Sequence, residues 1–237
     1  MLCVPPPEPY APPEITRAAL YTPFRWRGRS RITVKFLDGP PDVQAAVARI
    51  ATGPESWNSA CGLQVVFVDS GDSDIRITMQ RGASWSYVGD YCTHIAQDMP
   101  TMQLGWAVTS SQTELQRVVL HEFGHAQIGL MHEHQSPVAR IPWLIENVYS
   151  YYLATNGWSR AMVDSNVLTK FDGSVVETSE WDQLSIMHYS IPPSIVEGGV
   201  RIGGAMRLSP IDRVMAGVWY GLPPMQWRKT YMPQVVS

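Results

Sequence analysis

The hydrophobic pattern along this chain changes period several times, and each change marks an element. Residues 31–37 alternate apolar and polar side chains, as a strand with one buried face does, and a turn follows at Asp38-Gly39-Pro40-Pro41. From 42 to 58 the apolar positions Val43, Val47 and Ile50 recur at helical spacing. Residues 63–68 and 74–79 read as two more strands, and 101–108 as another just before a second helix. That helix, over 111–128, opens with Ser111 and Glu114 in capping-box positions and carries Leu115, Val118, Val119 and Phe123 on one side. Residues 145–153 and 209–220 are further helix candidates, the latter begun by Ser209-Pro210 with proline at the first helical position. A mixed sheet with helices packed on it is expected, in the α+β class. Residues 1–29 are proline-rich and read as an extended, loosely attached arm, leaving 30–237 as one domain. No internal period of 20–50 residues recurs.

Composition narrows the classes. A chain of 237 residues, 45% hydrophobic and only 16% charged, with nine tryptophans, buries a sizeable core as one domain or two joined subdomains. The net charge of -3 offers no basic stripe, so no nucleic-acid partner is expected. No apolar stretch approaches ~18 residues, so no membrane span is expected.

The chemistry concentrates in HEFGHAQIGLMHEH, residues 121–134. On a helix His121 and His125 lie roughly 40° apart around the axis and about 6 Å along it, so one face offers two imidazoles to one metal ion. Glu122 is rotated off that line and can reach a water on the metal. Gly129 allows a sharp turn that returns His132 as a third ligand. Three neutral imidazoles leave a zinc position open, where a bound water is acidified from ~15.7 toward ~7 and a carboxylate can shuttle its proton. The reading is a zinc endopeptidase that hydrolyses internal peptide bonds by a metal-activated water, with Glu122 as general base. A helix with His121, Glu122 and His125 on or beside its buried face otherwise lacks a partner for them.

HEFGH, GLMHEHQSP and the downstream SIMHY of residues 185–189 resemble the astacin family of the metzincin clan, in particular its short microbial members. The likeness runs from about Arg31 to about Tyr220 and includes ITVKFLDG, VFVDSGDSDIRITM, WSYVGDYC, PTMQLGW and LSPIDRVMAGVWYG. The resemblance implies a metzincin (zincin-like) fold. In it a twisted N-terminal sheet with two long helices (30–132) faces an irregular lower subdomain (133–237) across the cleft, with a Met-turn and a C-terminal helix. It implies that Met187 forms the floor beneath the zinc histidines. It also implies that Tyr189 is a further zinc ligand that swings away to stabilise the oxyanion, that the strand at 101–108 is an edge that binds extended peptide, and that Glu133 contacts the processed amino terminus. Asp182 and Ser185 are read as organising the Met-turn. One zinc ion, a peptide or protein substrate in extended conformation and a monomer are expected. Such proteases are generally exported, yet no apolar leader of ~7–15 residues is visible here.

One departure stands out. The clan spaces its ligands HExxHxxGxxH, whereas this chain has three residues, Ala126, Gln127 and Ile128, between His125 and Gly129. One extra helical residue rotates the exit by ~100° and lengthens it by ~1.5 Å. A bulge or a tightened last turn before Gly129 repairs this and keeps His132 as third ligand; otherwise His134, or nothing, completes the site. The stretched motif also keeps open a zincin-fold enzyme repurposed for a small molecule, or a zinc-stabilised binding protein without turnover. Otherwise His94, His134 and His188 are non-ligands: an exposed loop residue, a residue behind the site or on the surface, and a Met-turn residue. Glu133 alternatively pairs with an arginine or joins a polar network. Cys3, Cys61 and Cys92 permit either a Cys61–Cys92 bridge or three reduced thiols.

Overall fold

The computed structural model describes residues 19–223. In chain order its elements are β1 (Ala19–Tyr21), β2 (Arg31–Phe36), α1 (Pro41–Thr52), β3 (Gln64–Phe67), β4 (Ile75–Thr78), β5 (Ser84–Ser86), β6 (Met102–Leu104), α2 (Gln112–Phe123), β7 (Leu130–Met131), α3 (Ile145–Asn156), α4 (Arg160–Val163), β8 (Val176–Glu177) and α5 (Pro210–Tyr220). The main sheet runs β3-β2-β4-β6-β5, parallel except for β5, which pairs antiparallel with β6. Helices α1 and α2 pack on it, as their apolar spacing predicts, and Val47 and Val119 are fully buried. Together with the helices and a sheet in the first part and irregular chain in the second, this is the α+β architecture expected. Among the described residues no helix is long and apolar enough to cross a membrane.

Four expectations need correction. Helix α1 ends at Thr52 rather than 58, because Gly53 caps it in extended backbone and Pro54 disfavours helical geometry in the residue before it. The strand read over 101–108 is only three residues long and lies inside the sheet; the edge strands are β3 and β5. At Gly105 the chain passes so close to the Gly82 backbone that a β-carbon would clash, and residues 105–110 then turn instead of extending. Residues 19–29 are not loosely attached. β1 is the centre of a second, three-stranded sheet between β7 and β8, Leu20 and Trp26 are buried, and Arg25 donates to the Trp219 carbonyl. Residues 1–18 of the arm lie outside the described residues. The helix over 111–128 is α-helical only to Phe123 and continues as a π-helical turn over Gly124–Ile128.

Among the described residues three apolar clusters result, the smallest made of Met131, Phe171 and Val176. The largest joins the sheet, α1, α2 and α5. The second is built from α3, α4 and the 189–202 segment, with Val148, Tyr152, Val163 and Ile191 at its centre.

Candidate active site

Helix α2 starts as its sequence dictates: Ser111 Oγ accepts the Glu114 amide at 3.3 Å. The reciprocal half of the capping box does not form, because the Glu114 carboxylate turns to Arg117 at 3.1 Å. From Val118 onward the helix is buried all round, so His121 and Glu122 enter the interior, 5% and 1% exposed. The next turn widens. Gly129 N–H bonds both to the carbonyl five residues back, Gly124, and to His125, and Gly129 adopts φ +82°. The extra residue is thus absorbed by a bulge, one of the two expected repairs, and by loosening of the last turn rather than tightening. β7 then leads straight into His132.

The structure brings His121, His125 and His132 together: one ligand nitrogen from each lies within 4.8 Å of the others. His125 Nε2 and His132 Nε2 are 3.2 Å apart. His121 Nδ1 faces the Ile186 carbonyl at 2.8 Å and His125 Nδ1 the Leu130 carbonyl at 2.6 Å. A carbonyl only accepts, so each Nδ1 carries the proton and each Nε2 keeps its lone pair for the shared centre. Burial, reinforced by the neighbouring imidazole of His125, holds His121 and His132 well below the usual imidazole range, and burial pushes His125 down to about 4. All three are neutral at pH 7. His121 Nε2 is buried with no hydrogen-bond partner among the described residues. A buried nitrogen lone pair without a donor is unfavourable, and a borderline-soft divalent cation with imidazole preference satisfies it. The residues therefore fit zinc.

Around this centre, Glu122 lines a small polar pocket with Ser84, Arg117, Val118, His121, His188, Tyr189 and Ser190. Tyr189 is buried, its ring 4.4 Å from that of His132. Met187 is 1% exposed and lies under Gly124, where no β-carbon would fit. The turn that carries it is organised by Asp182 and Ser185, as their positions suggest: Leu184 N–H donates to Asp182 at 2.9 Å, and Met187 N–H to Ser185 Oγ at 3.0 Å.

His134 is not brought into the three-histidine cluster, nor is it on the surface. It is fully buried behind His132, its ring stacked 4.2 Å from that of Tyr189 and its Nε2 directed at the Asn166 carbonyl at 3.1 Å. His188 turns away, with Nδ1 at 2.8 Å from the Tyr189 carbonyl and the Trp181 indole donating to Nε2 at 3.3 Å; His94 is exposed. Glu133 accepts the Asp182 amide at 3.0 Å inside a polar network, and burial raises its carboxyl to about 8. Cys61 and Cys92 form no bridge. Both are buried thiols, with burial pushing Cys61 up to about 12 and Cys92 higher still. Cys3 lies outside the described residues.

Two residues escaped sequence reasoning. Asp212 accepts Ser185 Oγ and the Ile186 and Ser209 amides at 2.7–2.9 Å, tying the start of α5 to the turn before Met187; its signal was the cap position three residues after Ser209. Arg117, one helical turn before His121, brings a guanidinium to the pocket wall where no charge was foreseen. Only the helical repeat marked it as facing the cleft.

No protein-family model matches this sequence, and no curated protein does. Solved structures do. A structure of myroilysin, a microbial astacin-like metalloprotease, is 36% identical over 85% of this chain and 98% of its own, with a TM-score of 0.80. A crystal structure of myroilysin is 35% identical over 83% and 86%, at TM-score 0.61. High choriolytic enzyme 1, a hatching-enzyme zinc protease from the medaka fish Oryzias latipes, shares the fold at TM-score 0.58 over 87% and 99%, with 16% identity. With the three-histidine cluster at the end of its long helix and identity of this extent over nearly the whole of a relative, the chain belongs to the astacin-like zinc metallopeptidases of the metzincin clan.

Proposed function

We propose that this protein is a zinc endopeptidase that cleaves internal bonds of an extended peptide, with His121, His125 and His132 holding one zinc ion in a monomeric chain. The observation that carries this reading is the convergence of three neutral imidazoles, one with a buried Nε2 that has no partner among the described residues, beside the Glu122 carboxylate. Bound zinc supplies Lewis acidity that polarises the scissile carbonyl and acidifies water. The residues do the rest. The free edge of β5, whose Ser84 lines the pocket, pairs with the substrate backbone and lays the scissile bond across the helix face. Glu122 takes the proton of the attacking water and passes it to the departing amine. Tyr189 would also hold the ion at rest, and its phenol would donate to the oxyanion as the carbonyl becomes tetrahedral. Met187 supports the helix from below. The division of the domain near residue 132 is supported by the second apolar cluster, which lies wholly downstream of it.

The longer ligand spacing is one ground for a small-molecule enzyme, and its absorption in one π turn weakens that alternative. Cleavage of a mixed fluorogenic peptide library by the zinc-loaded protein, beside Glu122→Ala and a chelator control, tests the proposal. Cleavage lost in both controls is the expected result. A folded, zinc-replete protein that cleaves none of the library would overturn it.

A further inference from the structure

The π turn has to be held in one setting for the third ligand to arrive. A π turn is a rare, single-turn departure from the α-helix, and Ala126 and Ile128 present only buried apolar side chains, whose burial is favourable but not directional. Gln127, between them, differs. It is fully buried, and its Nε2 donates at 2.9 Å to Asn58 Oδ1 and at 2.7 Å to the Leu63 carbonyl. Asn58 is itself clamped to the sheet, accepting the Val65 amide at 2.9 Å and donating to the Val65 carbonyl at 3.1 Å. Directional bonds therefore run from β3 through Asn58 to the middle of the π turn.

The turn's freed carbonyls are bound as well. The Trp26 indole donates to Ala126 at 2.9 Å, the Tyr220 hydroxyl to Ile128 at 2.8 Å, and the Tyr21 amide to Gly129 at 2.9 Å. Those three contacts grip backbone and would accept whichever residue stood there. Only the Gln127 amide specifies the side chain. Downstream, the same turn delivers the Leu130 carbonyl to His125 Nδ1 and His132 Nε2 to within 3.2 Å of His125 Nε2.

We propose that Gln127, through Asn58 and the Leu63 carbonyl, is a positioning residue for the metal centre: it fixes the π turn so that a ligand spacing one residue longer than the clan's still closes a three-histidine site. This rests on the reading of His121, His125 and His132 as metal ligands.

The test uses the full chain, as wild type, as Gln127→Met, which matches length but cannot donate, and with Gln127 deleted, which restores the two-residue spacing. Zinc affinity is measured by competition with a chromophoric chelator, the ligand field by the visible spectrum of the Co(II)-substituted protein, and the fold by melting of the zinc-free protein. Gln127→Met is expected to bind zinc about 10- to 100-fold more weakly, the range seen when groups that orient ligands are lost, with an altered Co(II) spectrum. The deletion is expected to bind at least tenfold more tightly than Gln127→Met, since it needs no wide turn. A role in packing alone would lower the melting temperature and leave zinc affinity and the Co(II) spectrum of the folded protein unchanged. That result overturns the proposal. Should Gln127→Met not fold, the deletion decides: folded and zinc-binding supports the inference, folded yet unable to bind zinc overturns it. Wild type that binds no zinc would sink the metal-centre reading as well, whereas wild-type affinity in Gln127→Met sinks this inference alone.

Discussion

Gly124 lies directly over Met187: a β-carbon at residue 124 would fall inside the contact distance of the methionine sulfur and 3.2 Å from both its methyl carbon and the Trp57 ring. The helix segment between the first two histidines therefore rests on the methionine without a side chain in between. Gly124→Ala should be destabilising by about 1–3 kcal/mol, the range for overpacking a dense core, and should reduce zinc retention with it. Urea denaturation and metal content check this. A variant as stable and as zinc-replete as wild type would show that Met187 is not a fixed floor.

Tyr189 is buried, its ring stacked on that of His134 and tilted against that of His132. Tyr189→Phe keeps the ring and removes the donor. Loss of one oxyanion donor is expected to lower kcat about 100- to 1000-fold with KM little changed and zinc retained. Steady-state kinetics on a cleaved peptide separate this from a loss of substrate affinity, which would assign the phenol to ground-state binding instead.

On β5, Tyr87 N–H bonds inward to Thr101 and Trp85 pairs with Gln103, so by antiparallel alternation the amides of Ser84 and Ser86 face the free edge. Ser86→Pro deletes one outward donor and leaves the ladder to β6 alone. One backbone hydrogen bond contributes about 0.5–1.5 kcal/mol, so kcat/KM for peptides should fall roughly 3- to 10-fold, carried by KM. Kinetics with unchanged kcat/KM would remove β5 as the substrate-pairing edge.

Asp212 supplies a pH dependence. Burial raises its carboxyl from 3.8 to about 6, against the hydrogen bonds from Ile186, Ser209 and Ser185 that favour the charged form. Its folded-state value lies above its unfolded one, so the folded protein holds the extra proton between about 4 and 6. The associated stability is complete below pH 3.8 and is lost as pH rises through about 6. Asp212→Asn should abolish that part of the slope while lowering stability at every pH, because one acceptor oxygen of the turn is replaced by a donor. Thermal melting of both proteins between pH 4 and 8 measures this. Identical slopes would show that Asp212 titrates alike in both states.

Much of the site was legible along the chain because it depends on spacing within one element. The four-residue interval of His121 and His125, the glycine before His132, the Ser111 cap and the Ser209-Pro210 start of α5 are local relations, and backbone geometry turns each into structure with little help from the rest of the molecule. Strands of two or three residues, such as β1, β5, β7 and β8, are too short to show a period, so only their pairing creates them. For the same reason the edge of the sheet passed from 101–108 to β5, and residues 19–29 became part of the body. His134 could not be told from a surface residue until the ring of Tyr189 closed over it. The sequence by itself determined which groups could bind and activate a metal ion, because ligand chemistry and helical repeat are properties of the residues in order. Tertiary structure alone decided that the extra residue is harmless to that geometry: the anchors of the π turn, Trp26, the Asn58–Leu63 segment and Tyr220, are drawn from three separate parts of the chain, and only folding brings their hydrogen bonds to one place.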